Sequence, residues 1–145
     1  MRQLFFFFTA AVLLSGSGHL FGQSCNLSSL EGSYAGTVAG HTPNDTLVAY
    51  QAIAHFDGKG GFSLSGFTCV ANGAVVASDA AASGGTYTVK QDCSGSIQIT
   101  SDGQTFKFAI LITDRNRSQF QMLETDGSAT TTGNAVKQEG SQVPQ

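Results

Sequence analysis

The sequence predicts an all-β protein, namely a small antiparallel up-and-down barrel of about eight strands. The first observation is a series of short apolar/polar alternations at a spacing of roughly ten residues, separated by turns that contain Gly, Asn and Asp. The second is that no segment has the length and periodicity of a stable helix. Consecutive hairpins favour sequential strand order, and the twist between neighbouring strands tends to close such a sheet. A β-sandwich is the alternative.

The clearest alternations lie in the stretch 84–112. It contains three alternating segments, separated by turns at Asp92–Gly95 and Ser101–Gly103. Every second residue of a strand lies on the same face, because side chains alternate between the two sides of a sheet. The apolar residues predicted on one face are Tyr87, Val89, Ile97, Ile99, Phe106, Phe108, Ile110 and Ile112. This stretch therefore predicts the central antiparallel meander.

Residues 1–24 have the features of a secretory signal peptide. Arg2 supplies an early positive charge, the run Leu4–Leu14 is almost entirely apolar, and small residues follow it. The apolar run is too short to span a bilayer, which needs roughly 20 such residues. We therefore expect the first 24 residues to be removed on export.

Cleavage before Cys25 fits the small residues Gly22 and Ser24 that precede it. A lipoprotein signal would acylate Cys25, but such a signal has a bulky aliphatic residue where Gly22 stands. We expect a secreted or periplasmic protein with no stable membrane insertion after signal removal. Its β-barrel domain would cover 25–137, and the polar tail 138–145 would be frayed.

The first half of the domain is predicted to hold a helical turn and two strands before the first glycine-rich hairpin. The predicted elements are a helical turn at Leu27–Glu31, a strand at Gly32–Val38, a loop at Gly40–Asp45, a strand at Leu47–Phe56 and a hairpin turn at Asp57–Gly61. Alternation places Tyr34 and Tyr50 on the apolar faces of these strands.

The third strand changes phase at a glycine. Phe62 and Leu64 alternate in one phase, and Phe67 and Cys69 alternate in the opposite one. An extra residue at Gly66 would re-aim everything after it, because a β-bulge opposes two residues to one on the partner strand. The sequence thus predicts a bulge that brings all four side chains to one face.

The rest of the domain is predicted to continue as hairpins. Asn72-Gly73 is the strongest two-residue hairpin signal in the chain. The elements predicted around the meander are a strand at Ala74–Ser78, a loop or weak strand at Asp79–Ser83, a turn at Asp114–Arg117, a strand at Ser118–Glu124 with Phe120 and Met122 inward, a turn at Thr125–Ser128 and a Thr-rich strand at Thr130–Lys137.

Charge and cysteine content limit the function classes. Without Arg2 the chain has six basic and ten acidic residues, so nucleic-acid binding has no electrostatic support. In an oxidising compartment three cysteines predict one disulfide and one free thiol.

We expect Cys93 to be one partner of the disulfide. The other is Cys69, which falls at the same end of the sheet if strands alternate direction, or Cys25, which lies on the segment before the first strand. The cysteine spacings match no zinc motif, and we expect no metal and no cofactor.

Several segments resemble known barrel proteins. Gly32-Ser33-Tyr34 is similar to the Gly-x-Trp element that opens calycin-type barrels such as lipocalins and avidins, with Tyr in place of Trp. A second set of segments resembles a group of small secreted bacterial proteins with predicted β-barrel domains. These segments are Phe56–Gly60, Gly85–Val89 with Asp92–Gly95, and Glu124–Gly127 with Gly133. The resemblance implies export and a barrel, and no activity, because that group carries no assigned reaction.

Few residues are arranged for catalysis or ion binding. The sequence contains no Gly-x-Ser-x-Gly string. Lys59 lacks phosphate-loop spacing and Asp57 lacks calcium-loop spacing, so both are interpreted as turn residues. A contact between His41 and Asp45 could orient the imidazole, although a solvated loop histidine is favoured. His55 is out of phase with the apolar residues of its strand and is predicted to face solvent.

The charged residues of two late turns could line one mouth of the barrel. The Asp114–Arg117 turn, Glu124 and Asp126 would then bind a charged group, but a solvated rim is the favoured interpretation.

The barrel interior is the candidate ligand site. An eight-stranded barrel either fills with its own side chains or holds one small ligand. Nine bulky side chains are predicted to point inward, which favours a filled core. The six chosen as candidate ligand contacts are Tyr34, Tyr50, Tyr87, Phe106, Phe108 and Phe120. Buried tyrosines need hydrogen-bond partners, and their hydroxyls could orient a ligand.

These observations support three hypotheses. The leading one is a secreted, non-catalytic barrel that binds a small apolar ligand or a surface partner. The second is a structural envelope or surface protein with a filled core. The third is a cofactor-free enzyme of the cyclase or isomerase type that uses Tyr34, Tyr50 or Tyr87 as its polar group. A cavity below about 300 Å³ would leave no room for a typical ligand.

Overall fold

A computed structural model describes residues 24–78, 84–101 and 104–139 of the 145-residue chain. The predicted signal peptide, the loop or weak strand at Asp79–Ser83, most of the turn at Ser101–Gly103 and the end of the predicted tail lie outside the described residues. Within them the chain forms one short 3₁₀ helix, η1, and nine strands. These are η1 Leu27–Leu30, β1 Gly32–His41, β2 Leu47–Phe56, β3 Gly61–Ala71, β4 Ala74–Ser78, β5 Gly85–Val89, β6 Ser94–Ser101, β7 Gln104–Ile112, β8 Gln119–Glu124 and β9 Thr130–Lys137.

Eight of the strands close into an antiparallel barrel. Around the ring each strand pairs with its neighbours in the order β1, β2, β3, β5, β6, β7, β8 and β9, and β9 returns to β1. Strand β4 stands outside this ring and pairs with β3. The all-β class and the predicted barrel are therefore confirmed. Within the described residues no helix is long and apolar enough to cross a membrane.

The seam between β3 and β5 is the shortest in the ring. Only Gly61 with Thr86 and Phe62 with Gly85 are paired there. Beyond Phe62, the later part of β3 pairs instead with β4. The first two residues of β3 therefore pair with β5, and the last part of β3 pairs with β4.

A bulge in β3 sets which of its side chains face inward. Gln51 of β2 is paired with Thr68, and Ile53 with Ser65, so β3 uses one residue more than β2 over this interval. Gly66 lies in that interval with φ +59°, a conformation that glycine adopts without steric cost. The predicted bulge is confirmed, and Phe62, Leu64, Phe67 and Cys69 all face the interior.

The barrel has two different ends. The end that we call the capped end carries η1, the β2–β3 turn and the loops 90–93 and 113–118. The other, which we call the open end, carries the loops 42–46 and 125–129 and the tight Asn72-Gly73 turn. At the capped end Leu30 is fully buried, and the Cys25 amide donates to the Gln91 carbonyl at 3.2 Å.

Aromatic rings fill the half of the barrel next to the capped end. The Phe56 ring centroid lies 5.0 Å from that of Tyr87, 5.2 Å from that of Phe62 and 5.9 Å from that of Phe120. Tyr34 is fully buried and its ring contacts Phe56 and Phe120 at 5.5 and 5.4 Å. Most of these ring pairs are edge-to-face, an arrangement that adds to the burial of apolar area. This aromatic cluster is the closely packed part of the barrel core.

Candidate functional site

The other half of the barrel contains a partly open cavity of about 330 Å³. Its floor is formed by the aromatic cluster, and its walls extend to Tyr50, Phe106 and Glu124 near the open end. Five of the six interior residues singled out in the sequence line it: Tyr34, Tyr50, Phe106, Phe108 and Phe120. Tyr87 does not, because it lies at the capped end against η1 and the β2–β3 turn.

The cavity exists because several inward positions carry small residues. Gly36 of β1, Ala52 and Ala54 of β2 and Ala135 of β9 all line it. They occupy inward positions at which a larger side chain would fill the space. The expectation of a filled core is therefore correct for the capped half and wrong for the open half. The sequence signal that reveals the cavity is the small size of these four inward residues, which bulky inward residues alone do not show.

The hydroxyls of Tyr34 and Tyr87 are committed to the main chain. Tyr34 donates to the Arg117 carbonyl at 2.6 Å, and Tyr87 donates to the Leu27 carbonyl at 3.0 Å. Burial, with a smaller contribution from the charge of Asp114, raises the pKa of Tyr34 to about 12. Both tyrosines therefore fasten capped-end segments to the barrel rather than presenting a hydroxyl to the cavity.

Tyr50 differs from the other two tyrosines. Its ring stacks on that of Phe67, with centroids 6.3 Å apart, and the described residues offer its hydroxyl no hydrogen-bond partner. Burial raises the pKa of Tyr50, and charge at Cys69, Glu124 and Asp126 raises it further. Tyr50 is thus the tyrosine whose hydroxyl is available to a molecule in the cavity.

Glu124 is a buried acid at the open end. It is 8 % exposed and follows Phe120 and Met122 on the inward face of β8. Ser128 donates its hydroxyl to one carboxylate oxygen, and Thr131, which is fully buried, donates to the other at 2.6 Å. The expectation of a solvated rim residue is wrong for Glu124. Its phase with Phe120 and Met122 could have revealed its inward position.

The two charged turns do not share one mouth. The Asp114–Arg117 turn joins β7 to β8 at the capped end, whereas Glu124 and Asp126 lie at the β8–β9 turn of the open end. Successive turns of an antiparallel meander alternate between its ends, so neighbouring turns cannot line one opening. Asp126 accepts from the amides of Lys107 and Ser128, each at 2.8 Å. Burial would raise the pKa of Asp126, but these hydrogen bonds, together with those to the side chains of Ser128 and Glu124, outweigh it and lower the pKa.

The disulfide joins Cys25 to Cys93, and Cys69 is free. Of the two predicted partners for Cys93, the structure has Cys25. Cys69 and Cys93 would share one end of the barrel only if every strand reversed direction relative to the one before it. Because β4 and β5 both run antiparallel to β3, Cys93 comes to the capped end while Cys69 lies toward the open end. Cys69 lines the cavity beside Tyr50, and burial raises the pKa of its thiol.

Both described histidines lie outside the cavity. His41 Nδ1 is 3.2 Å from Asp45 Oδ1, with both side chains exposed. His55 faces solvent as predicted, and its ring bridges Ser33 at 2.7 Å and Ser65 at 2.9 Å on the outer surface. Among residues 24–78, 84–101 and 104–139 no group of three His, Cys, Asp or Glu side chains could hold a metal ion.

Comparison with known proteins identifies the fold alone. No model of a protein family and no curated protein matches the sequence. Among solved structures, a redesigned β-barrel superposes with a TM-score of 0.55 at 17% identity, covering 78% of this chain and 95% of that one. A de novo designed fluorescence-activating β-barrel superposes with a TM-score of 0.50 at 7% identity, covering 77% and 96%. Both similarities support the barrel architecture.

Proposed function

We propose that this protein is an exported, non-catalytic β-barrel that binds one small apolar molecule in its open-end cavity. The observation that carries the proposal is the volume of about 330 Å³, which lies within the range of ligand pockets. Small apolar cavities in proteins stay dry and accept apolar guests such as benzene. The hypothesis of a structural protein with a filled core does not account for the four small inward residues that leave this space open.

Export is the part of the proposal that concerns location. It rests on the signal-peptide features of residues 1–24, with the barrel domain at 25–137 and the tail at 138–145. A disulfide between Cys25 and Cys93 is compatible with an oxidising compartment outside the cytosol.

Binding is favoured over catalysis by what the polar groups of the cavity do. A cofactor-free cyclase or isomerase needs a group that exchanges a proton with its substrate. The Tyr34 hydroxyl donates to a main-chain carbonyl, and its raised pKa makes it a weaker acid. Both oxygens of Glu124 accept hydrogen bonds from hydroxyls of the protein. These contacts hold Tyr34 and Glu124 in fixed orientations, as a binding site requires.

The proposal is tested with an apolar dye that fluoresces when it leaves water. Ala52→Phe fills the cavity from β2, whereas Ala109→Phe makes the same change on the exposed outer face of β7. We expect saturable fluorescence with the wild-type protein and with Ala109→Phe, and its loss with Ala52→Phe. Ala54→Leu, a smaller filling at the next inward position, should weaken binding partially.

Circular dichroism of each variant shows whether the barrel is retained. Equal dye binding by folded Ala52→Phe and wild-type protein would overturn the proposal, as would the absence of dye binding by the wild-type protein.

A further inference from the structure

The polar groups at the open end of the cavity include a carboxyl group and no positively charged side chain among the described residues. Near it the lining includes Tyr50, Gln51, Cys69 and Glu124, and none of the described residues that line the cavity is Lys, Arg or His. Within the described lining, a charged ligand at this end therefore meets one carboxyl group and no Lys, Arg or His side chain.

Glu124 brings a carboxylate to this end without a cationic partner. Its two oxygens accept from Ser128 and Thr131, and a carboxylate has about four acceptor positions, so acceptor capacity remains. No Lys, Arg or His among the described residues forms an ion pair with Glu124. The barrel thus holds a nearly buried acid that is hydrogen-bonded to two hydroxyls and to the side chain of Asp126 but has no counter-charge.

The field of this acid extends into the cavity. Together with burial, charge at Cys69, Glu124 and Asp126 raises the pKa of Tyr50 on the opposite wall. The full chain also has a formal net charge of −3. The effect on Tyr50 indicates that the charges of Glu124 and Asp126 act on the cavity from its open end.

Aromatic rings stand beside the acid. Tyr50, Phe67 and Phe106 all line the cavity toward the open end, and the rings of Tyr50 and Phe67 are stacked. The faces of aromatic rings attract cations, by about 0.5–2 kcal/mol depending on desolvation. The same end therefore offers a carboxylate for hydrogen bonding and rings for cation–π contact.

Resting on the proposed function, we propose that the preferred guest is a small apolar amine. Its hydrocarbon body would lie on the aromatic floor, and its ammonium group would donate to Glu124 beside Tyr50. Folding has already desolvated the carboxylate, so an ammonium that pairs with Glu124 has only its own desolvation to offset. An alcohol could donate to the same oxygens but brings no charge, and a carboxylate would place two like charges close together.

The test compares an alkyl amine, an alcohol and a carboxylate of one chain length as competitors for the dye. With the wild-type protein we expect affinities in the order amine, alcohol, carboxylate, with about tenfold or more between the first and the last. Glu124→Gln keeps the shape of the side chain and removes its charge. It should lower the affinity for the amine to about that for the alcohol and raise that for the carboxylate. Glu31→Gln makes the same chemical change at the capped end and should preserve the wild-type order.

The outcomes separate the two proposals. If none of the three compounds displaces the dye and no dye binds, binding of apolar molecules itself is wrong. If the carboxylate competes as well as the amine with wild-type protein, the cavity binds apolar molecules but the inference about the amine is overturned. That comparison needs no variant, so it stands even if Glu124→Gln fails to fold. An unchanged order in folded Glu124→Gln would overturn the role of Glu124.

Discussion

Cys25 and Cys93 join the segment before the barrel to the β5–β6 turn, with Cα atoms 4.9 Å apart and a sequence separation of 68. The bond holds η1 against the capped end, where Leu30 and the aromatic cluster are buried. The barrel is therefore closed by a cross-link on one side, and its cavity lies toward the other.

Loss of this disulfide should destabilise the protein substantially. In the chain-entropy treatment, a cross-link that closes a loop of this length stabilises the fold by about 4 kcal/mol. Cys25→Ser with Cys93→Ser should therefore lower the midpoint of urea unfolding well below that of wild type.

Cys69→Ser is the matched control, because its thiol is free. It should change the unfolding midpoint little. Alkylation of unreduced wild-type protein, followed by peptide mapping, should modify Cys69 alone. Modification of Cys25 or Cys93 would contradict the assigned pairing.

Stability should fall at high pH in a way that depends on Tyr34. Its pKa is raised from an ordinary value near 10 to about 12, so the folded state favours the neutral phenol. The resulting stabilisation is fully present below about pH 10 and is lost as the pH rises toward 12, with a total on the order of 2 kcal/mol. Urea unfolding at a series of alkaline pH values measures this loss.

Tyr34→Phe removes both the titration and the hydrogen bond to the Arg117 carbonyl. The variant should be about 1 kcal/mol less stable at neutral pH, and its stability should fall less steeply above pH 10. The remaining slope belongs in part to Tyr50 and Tyr87, whose pKa values burial also raises. Superimposable pH profiles would show that Tyr34 titrates as an exposed tyrosine does.

Thr131 should matter far more than its neighbour Thr132. Thr131 is fully buried and donates to Glu124, whereas Thr132 is exposed on the next position of β9. Thr131→Val keeps the shape but leaves a buried carboxylate oxygen with one donor fewer, at a cost of about 1.5–3 kcal/mol. Thr132→Val should change stability by less than about 0.5 kcal/mol. Equal effects on the unfolding free energy would argue against a buried Thr131–Glu124 contact.

The local alternation of the sequence was sufficient to predict most of the barrel. Strand β2 begins and ends at the predicted residues, and the meander places Tyr87, Ile97 and Phe108 inside. The bulge at Gly66 could be predicted because it alone reconciles two apolar phases. These features depend on neighbours in sequence, which the sequence displays directly.

The features that could not be predicted depend on long-range pairing. Strand β5 pairs with β3 rather than with β4, and this choice decides which end receives Cys93. The cavity depends on which inward residues meet across the barrel, so a list of bulky side chains could not reveal it. Glu124 belongs with the inward phase of β8 rather than with the turn that follows it, so its position next to that turn suggests an exposure that the structure contradicts.

The central claim is that the open half of the barrel is hollow and accepts an apolar guest. A crystal structure of the protein under xenon pressure tests this claim most directly, because xenon occupies dry apolar cavities. We predict xenon above the aromatic floor, among Ala54, Phe108 and Met122, and its absence from crystals of Ala52→Phe. Side chains packed through the open half, with no xenon bound there, would contradict the account.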